Sequence, residues 1–237
     1  MFEPKAVLRF VGILMVCFAL LIAPWPGWWP TYAAYFRSFG EWVFADSSFL
    51  SPGKARFLDL ASPTLFDDLD AITPGTLPRH YKLPGPEDRK DTLAVLMNKD
   101  VPQTFGVSAT SSIPMGLWPT AMVAGLALAT PARWRRRIVI LLVGVALAHA
   151  FVALRLGLML LKNGFADPAK SYRVFTPGES WFKVLRGADE VICDDPTFSF
   201  IAPVFIWLLV IFAVRFAGRL IGPRPTKSET SPPRPTA

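Results

Sequence analysis

The chain has 237 residues, of which 52% are hydrophobic and 18% charged, with a mean hydropathy of +0.37 and a formal net charge of +7. That balance is more apolar than an ordinary soluble domain; 19 Phe and 8 Trp exclude a disordered chain, and two Cys exclude a disulfide scaffold. The positive charge, by its distribution along the chain, reads as membrane topology rather than as a nucleic-acid footprint.

The first apolar run covers residues 10–23 and is followed by Pro24-Trp25-Pro26-Gly27-Trp28-Trp29-Pro30. The run alone is short of the about 20 residues a span needs. The Trp cluster, as an interfacial belt, extends it to a transmembrane helix over residues 10–30. Lys5 and Arg9 ahead of it also fit a signal peptide. No small-x-small cleavage site follows, so an uncleaved anchor is the expectation.

Residues 31–45 place Tyr32, Tyr35, Phe36, Phe39, Trp42 and Val43 at helical spacing. This predicts an amphipathic helix continuing from the first span. Turn residues are frequent over 51–86, where Asp67-Asp68-Leu69-Asp70 lacks the ligand spacing and glycine of a calcium loop. A solvated turn or a helix start is expected there. Short strands are predicted over 91–97 and 105–110, with Asn98-Lys99-Asp100 as a turn. Residues 31–112, with 8 basic and 10 acidic residues, thus read as a modest α+β cap leaning on a helical bundle.

The second run, residues 113–130, is uncharged. A short basic turn over 131–137, with Arg133-Trp134-Arg135-Arg136-Arg137, leads to the third run over 138–161, interrupted by Arg155. The fourth span, expected over 198–218, is uncharged to residue 214 and contains Pro203. Four such runs predict an all-α membrane bundle of four transmembrane helices, with the α+β domain inserted between the first and second.

Lys and Arg set the orientation. Residues 1–9, 131–137 and 219–237 hold 10 of them in 35 positions, against 13 in 118 positions for residues 31–112 and 162–197. The positive-inside rule then places both termini in the cytoplasm and the α+β domain outside the plasma (inner) membrane. In the outer loop 162–197, Trp181, Phe182 and Leu185 share a helical face and Glu179 stands four before Lys183, which predicts an interfacial helix. Cys193 follows it, whereas Cys17 lies inside the first span, so no structural disulfide joins them. The tail, 219–237, is Pro-, Ser- and Thr-rich and is expected to be disordered.

Small residues recur at Ala121, Gly125 and Ala129 in the second span and at Gly144 and Ala148 in the third. The short turn makes these spans antiparallel neighbours, and the small residues are expected to let their backbones approach. The ionisable groups in the spans are the chemical candidates, because translocon scales charge Arg about 2.5–3.5 kcal/mol at a helix centre. Arg155 lies near the outer end of its span and either snorkels or serves a function. His149 lies near mid-membrane and is expected to donate to a neighbouring helix. Six residues separate them, so they do not share a face. Ser111 and Ser112 meet the outer end of the second span, where a hydroxyl is expected to cap the following helix. A serine nucleophile needs a base, and no spacing ties His80 to these serines.

Three stretches carry a family likeness: Ser111-Ser112 through Leu117, the turn Pro131-Ala132-Arg133-Trp134-Arg135-Arg136-Arg137, and Ala148 to Arg155-Leu156. Together they resemble the core of the exosortase and archaeosortase proteins. That resemblance implies a membrane transpeptidase-like enzyme acting on C-terminal sorting signals of exported proteins, with Arg155 in the place of the family's arginine. The family's cysteine is replaced here by Ser111 and Ser112, and no histidine follows Arg155. No cofactor or metal is expected. The expected partners are membrane lipid and a membrane or exported protein, not nucleic acid. The expected role is a noncatalytic accessory or assembly component of an export or cell-envelope system, with an exosortase-like protein, active or degenerate, as the alternative. A transporter is disfavoured by so few polar groups in the spans.

Overall fold

The computed structural model describes residues 4–22, 25–44, 53–72, 90–98, 105–164, 179–194 and 197–220. The Asn98-Lys99-Asp100 turn beyond Asn98, His80 and nearly all of the tail lie outside them.

The described chain is mostly helical, with one small antiparallel sheet. α1 (Pro4–Ile22) stops two residues before Pro24, and α2 (Trp25–Phe44) begins directly after it. The described residues of the helix expected over 10–30 belong to α1 and α2, and residues 23–24 between them lie outside the described residues. The helix expected over 31–45 is the body of α2.

β1 (Gly53–Asp59), β2 (Thr92–Asn98) and β3 (Phe105–Thr110) form the sheet in the order β1-β2-β3, all neighbours antiparallel. β2 and β3 match the predicted strands; β1 was not expected. Between β1 and β2, α3 (Leu65–Ile72) takes the acidic cluster into its first turn, with Asp67 and Asp68 at the electropositive helix start. Ser62 Oγ accepts from the Thr64 amide, and Thr64 Oγ1 donates to Asp68 at 3.0 Å, which orders the approach to that turn.

Both faces of β2 are covered, which explains its unbroken run of apolar residues. Ala94 and Leu96 join Ala55 and Phe57 against Phe36 and Phe44 of α2. Leu93 and Val95 pack on Leu65 and Leu69 of α3. A first π-helical segment (Ile113–Leu117) leads into α4 (Trp118–Ala129), and α5 (Trp134–Gly164) follows the basic turn. α6 (Glu179–Asp189) is the helix expected in the loop, and a second π-helical segment (Glu190–Asp194) precedes α7 (Phe198–Leu220). α4 is central, packing against α1, α5 and α7.

Two helical stretches, Trp134–Lys162 and Phe198–Phe216, are long and apolar enough to cross a membrane, and Val7–Leu21 and Ile113–Ala129 are shorter apolar helices. At 1.5 Å per residue α5 is about 46 Å long, more than a hydrocarbon core of about 30 Å. Its last turns leave the bundle and enter the core of the sheet, where Val152, Leu156, Met159 and Leu160 are buried. The sheet and α5 therefore share one core.

The small residues act in part as expected. A Cβ on Gly144 would meet Val123 Cγ1 of α4 at 2.8 Å, so Gly144 does bring α4 and α5 together. Gly125 instead faces α1, where a Cβ would lie 3.3 Å from Leu14 Cδ1. With three neighbours around α4, Gly125 serves a helix other than the one that follows it in sequence.

Candidate functional site

The site grows from one backbone defect. In an α-helix the Met115 carbonyl would accept from the amide of residue 119, and in a π-helix the Pro114 carbonyl would do so. Residue 119 is proline and has no amide hydrogen. The turn is π-helical, with the Trp118 amide reaching back to the Ile113 carbonyl, and the next two carbonyls need donors from elsewhere.

Arg155 of α5 supplies them. Its Nη1 donates to the Pro114 carbonyl at 3.0 Å, to the Met115 carbonyl at 3.3 Å and to Ser199 Oγ of α7 at 2.9 Å. Its Nη2 donates to the Cys193 carbonyl at 3.0 Å. The Ser199 hydroxyl in turn donates a hydrogen bond to the Pro114 carbonyl at 3.0 Å. The ring of Phe151, one turn back on α5, lies 5.7 Å from the guanidinium carbon. Arg155 is only 2% exposed, so it does not snorkel; its planar fork joins α5, α7 and both π segments.

A second node adjoins the first. Asp91, 9% exposed, accepts from the Ser112 amide at 3.0 Å and from the Ser112 hydroxyl at 2.6 Å. It also accepts from Trp29 Nε1 at 2.8 Å and from Thr92 Oγ1 at 2.7 Å. Beside it Arg37 of α2 pairs with Asp59 at 2.7 Å. Ser112 thus does not cap the following helix: its hydroxyl makes no cap bond and donates to Asp91 instead. A carboxylate holding four donors is a strong acceptor for them. It ties α2, β2 and the first π segment at the point where the sheet meets the bundle.

Lys162 of α5 forms an ion pair with Asp189, buried at the end of α6. The Cys193 thiol donates to the Arg155 backbone carbonyl at 3.4 Å. Burial, with Asp189 nearby, pushes this thiol up to about 12, so it stays neutral at physiological pH. A neutral thiol is a poor nucleophile.

The four sequence candidates separate. Arg155 and Ser112 lie on neighbouring nodes joined by the backbone of residues 112–115. Ser111 is half-buried and its carbonyl accepts from the Met115 amide at 3.4 Å. His149 is elsewhere: its ring stands edge-on to Tyr35 and Phe39, 5.9 and 5.4 Å between centroids. Its Nδ1 donates to the Val145 carbonyl of its own helix at 2.8 Å, not to a neighbouring helix as expected. Asp91, Ser199, Trp29 and the Cys193 carbonyl are members the sequence reading missed. Pro119 was the available signal, because it strips the amide from a turn directly after Ser112.

Among the described residues no group of three or more His, Cys, Asp or Glu side chains is placed to hold a metal ion. Comparison with protein families, with curated proteins and with solved structures finds no match for this chain.

Proposed function

We propose that this chain is a multi-pass protein of the plasma (inner) membrane, serving as a noncatalytic accessory or assembly component of an export or cell-envelope system. In this reading α1, the first π segment with α4, α5 and α7 form four spans. The arginine-rich turn and both termini face the cytoplasm, and the sheet lies outside. Large apolar side chains exposed on α1, α5 and α7, among them Leu8, Leu20, Leu142, Phe205 and Phe212, support contact with lipid. Arginine density on one set of loops supports the orientation.

The observation that carries the noncatalytic reading is the partner set of Arg155. Its two terminal nitrogens donate to three backbone carbonyls and one serine of this chain. A group so engaged braces a junction rather than meeting a substrate. The outer domain and the spans are then held rigidly together as a platform for a membrane or exported protein.

The test is Arg155→Leu expressed in the host, with membrane abundance and envelope phenotype measured together. Loss of both in proportion supports the brace. Full abundance with a lost phenotype contradicts it.

An exosortase-like protein, active or degenerate, is the second reading. One observation favours it: Arg155 bonds both to the Cys193 carbonyl and to the Pro114 and Met115 carbonyls, two and three residues beyond Ser112. Cys193→Ala and Ser112→Ala chains that accumulate normally, yet leave an exported substrate unprocessed, would support this alternative.

A further inference from the structure

Two cavities lie at the end of the bundle opposite the sheet. The larger, about 690 Å³, is lined by Lys5 and Arg9 of α1 and by Arg133 and Arg137, with Phe10 and Ile13 of α1 also in its wall. The smaller, about 400 Å³, shares Arg133 and adds Arg136 and Arg215 over Ile140, Ile211 and Val214. Six cations from three helices and one turn therefore border this end. Every ion pair found among the described residues lies at the sheet end instead, at Arg37–Asp59, Arg56–Glu41 and Lys162–Asp189. Arg137 Nε is buried without a hydrogen-bond partner.

The local electrostatics ask for an anion. A helix N-terminus is electropositive and is stabilised by negative groups. The first turn of α5 has no acid and carries Arg136 and Arg137, which line the cavities. Each cavity also has an apolar wall, and the Phe10 wall continues into the exposed apolar side chains of α1. A soluble phosphate has no use for such a wall, whereas an acyl chain does.

We propose that the larger cavity binds an anionic phospholipid. The phosphodiester is held among Lys5, Arg9, Arg133 and Arg137, and the acyl chains run along Phe10 and Ile13 of α1. The inference rests on the membrane reading and adds a defined lipid site to it.

The experiment uses the full chain. Alkaline carbonate extraction of membranes comes first: recovery in the supernatant overturns the membrane reading and this inference together. With the chain in the pellet, it is purified in detergent and titrated with phosphatidylglycerol, phosphatidylcholine or inorganic phosphate, and retained lipid is read by native mass spectrometry. Saturable retention of phosphatidylglycerol, without retention of phosphatidylcholine and without displacement by inorganic phosphate, is expected. Arg133→Gln and Arg137→Gln are each expected to weaken retention about fivefold. Arg135→Gln, on the same turn but outside both cavities, is expected to leave it unchanged. Equal retention of the zwitterionic lipid, displacement by phosphate, or an equal loss in Arg135→Gln would overturn the lipid site while leaving the membrane reading standing. Each variant's melting temperature in phosphatidylcholine controls for folding.

Discussion

Arg155 stands in for the amide that Pro119 lacks: from a neighbouring helix, its guanidinium donates to the Pro114 and Met115 carbonyls at 3.0 and 3.3 Å. The two residues form one device written in two places. If so, their effects are coupled. Arg155→Leu leaves buried carbonyls unsatisfied and is expected to cost about 2–4 kcal/mol. Pro119→Ala restores an amide, so in the Arg155→Leu background it should recover a part of that loss. A double-mutant cycle on thermal or denaturant unfolding in detergent measures the coupling. Strict additivity would refute the device.

Asp91 offers a separate test. Asp91→Asn keeps the size but replaces one acceptor oxygen by a donor amide, facing Ser112, Trp29 and Thr92. A loss of about 3 kcal/mol is expected, against about 1 kcal/mol for Ser112→Ala, which removes one donor and leaves the carboxylate the others. Unfolding midpoints at one pH rank the two variants.

The Cys193 thiol makes stability depend on alkaline pH. Folding raises its value from 9.0 to about 12. Between those values the folded chain holds a proton that the unfolded chain releases. The thiol's contribution is whole below pH 9.0 and is lost as pH rises toward about 12. Cys193→Ser should flatten this decline. In a Cys17→Ala chain, alkylation of Cys193 at pH 8 should be slow when native and fast once unfolded.

Two glycines report on close approach. A Cβ on Gly116 would meet Tyr32 Oη at 2.6 Å and Phe36 Cδ2 at 3.0 Å, wedging α2 from the first π segment. Gly116→Ala is expected to cost about 1–3 kcal/mol, and Tyr32→Phe should recover a part by removing the nearest atom. Gly12→Ala, with nothing within 4 Å, should be close to neutral. Melting temperatures of the three variants settle the order.

Much of the fold was legible because apolar runs are local signals. α5 and α7 follow from long apolar runs, broken in α5 only by Arg155 between residues 138 and 161 and free of charge in α7 to residue 214, and β2 and β3 from short apolar segments bounded by turn residues. β1 was hidden because Lys54, Arg56 and Asp59 interrupt its apolar residues: Ala55 and Phe57 face one core and Leu58 packs on the other. In the site, the burial of Arg155 could be read as a cost, but not its partners. Those lie 38 to 44 residues away and depend on how α5, α7 and the π segments meet. The Ser112 hydroxyl looked like a helix cap because capping is the local option. Asp91, brought beside it by the β2–β3 register, outcompetes that option. The direction of Gly125 failed for the same reason: a helix with three neighbours does not announce in its own sequence which one a stripe will meet.

The most direct test is the side of the membrane on which the two ends of the bundle lie. In a Cys17→Ala, Cys193→Ser background, Ala61→Cys near the sheet and Ala132→Cys in the basic turn are treated with an impermeant maleimide in intact cells. The account predicts labelling at residue 61 in intact cells and at residue 132 only after permeabilisation. Labelling of residue 132 from outside, or of both residues to the same extent, contradicts it.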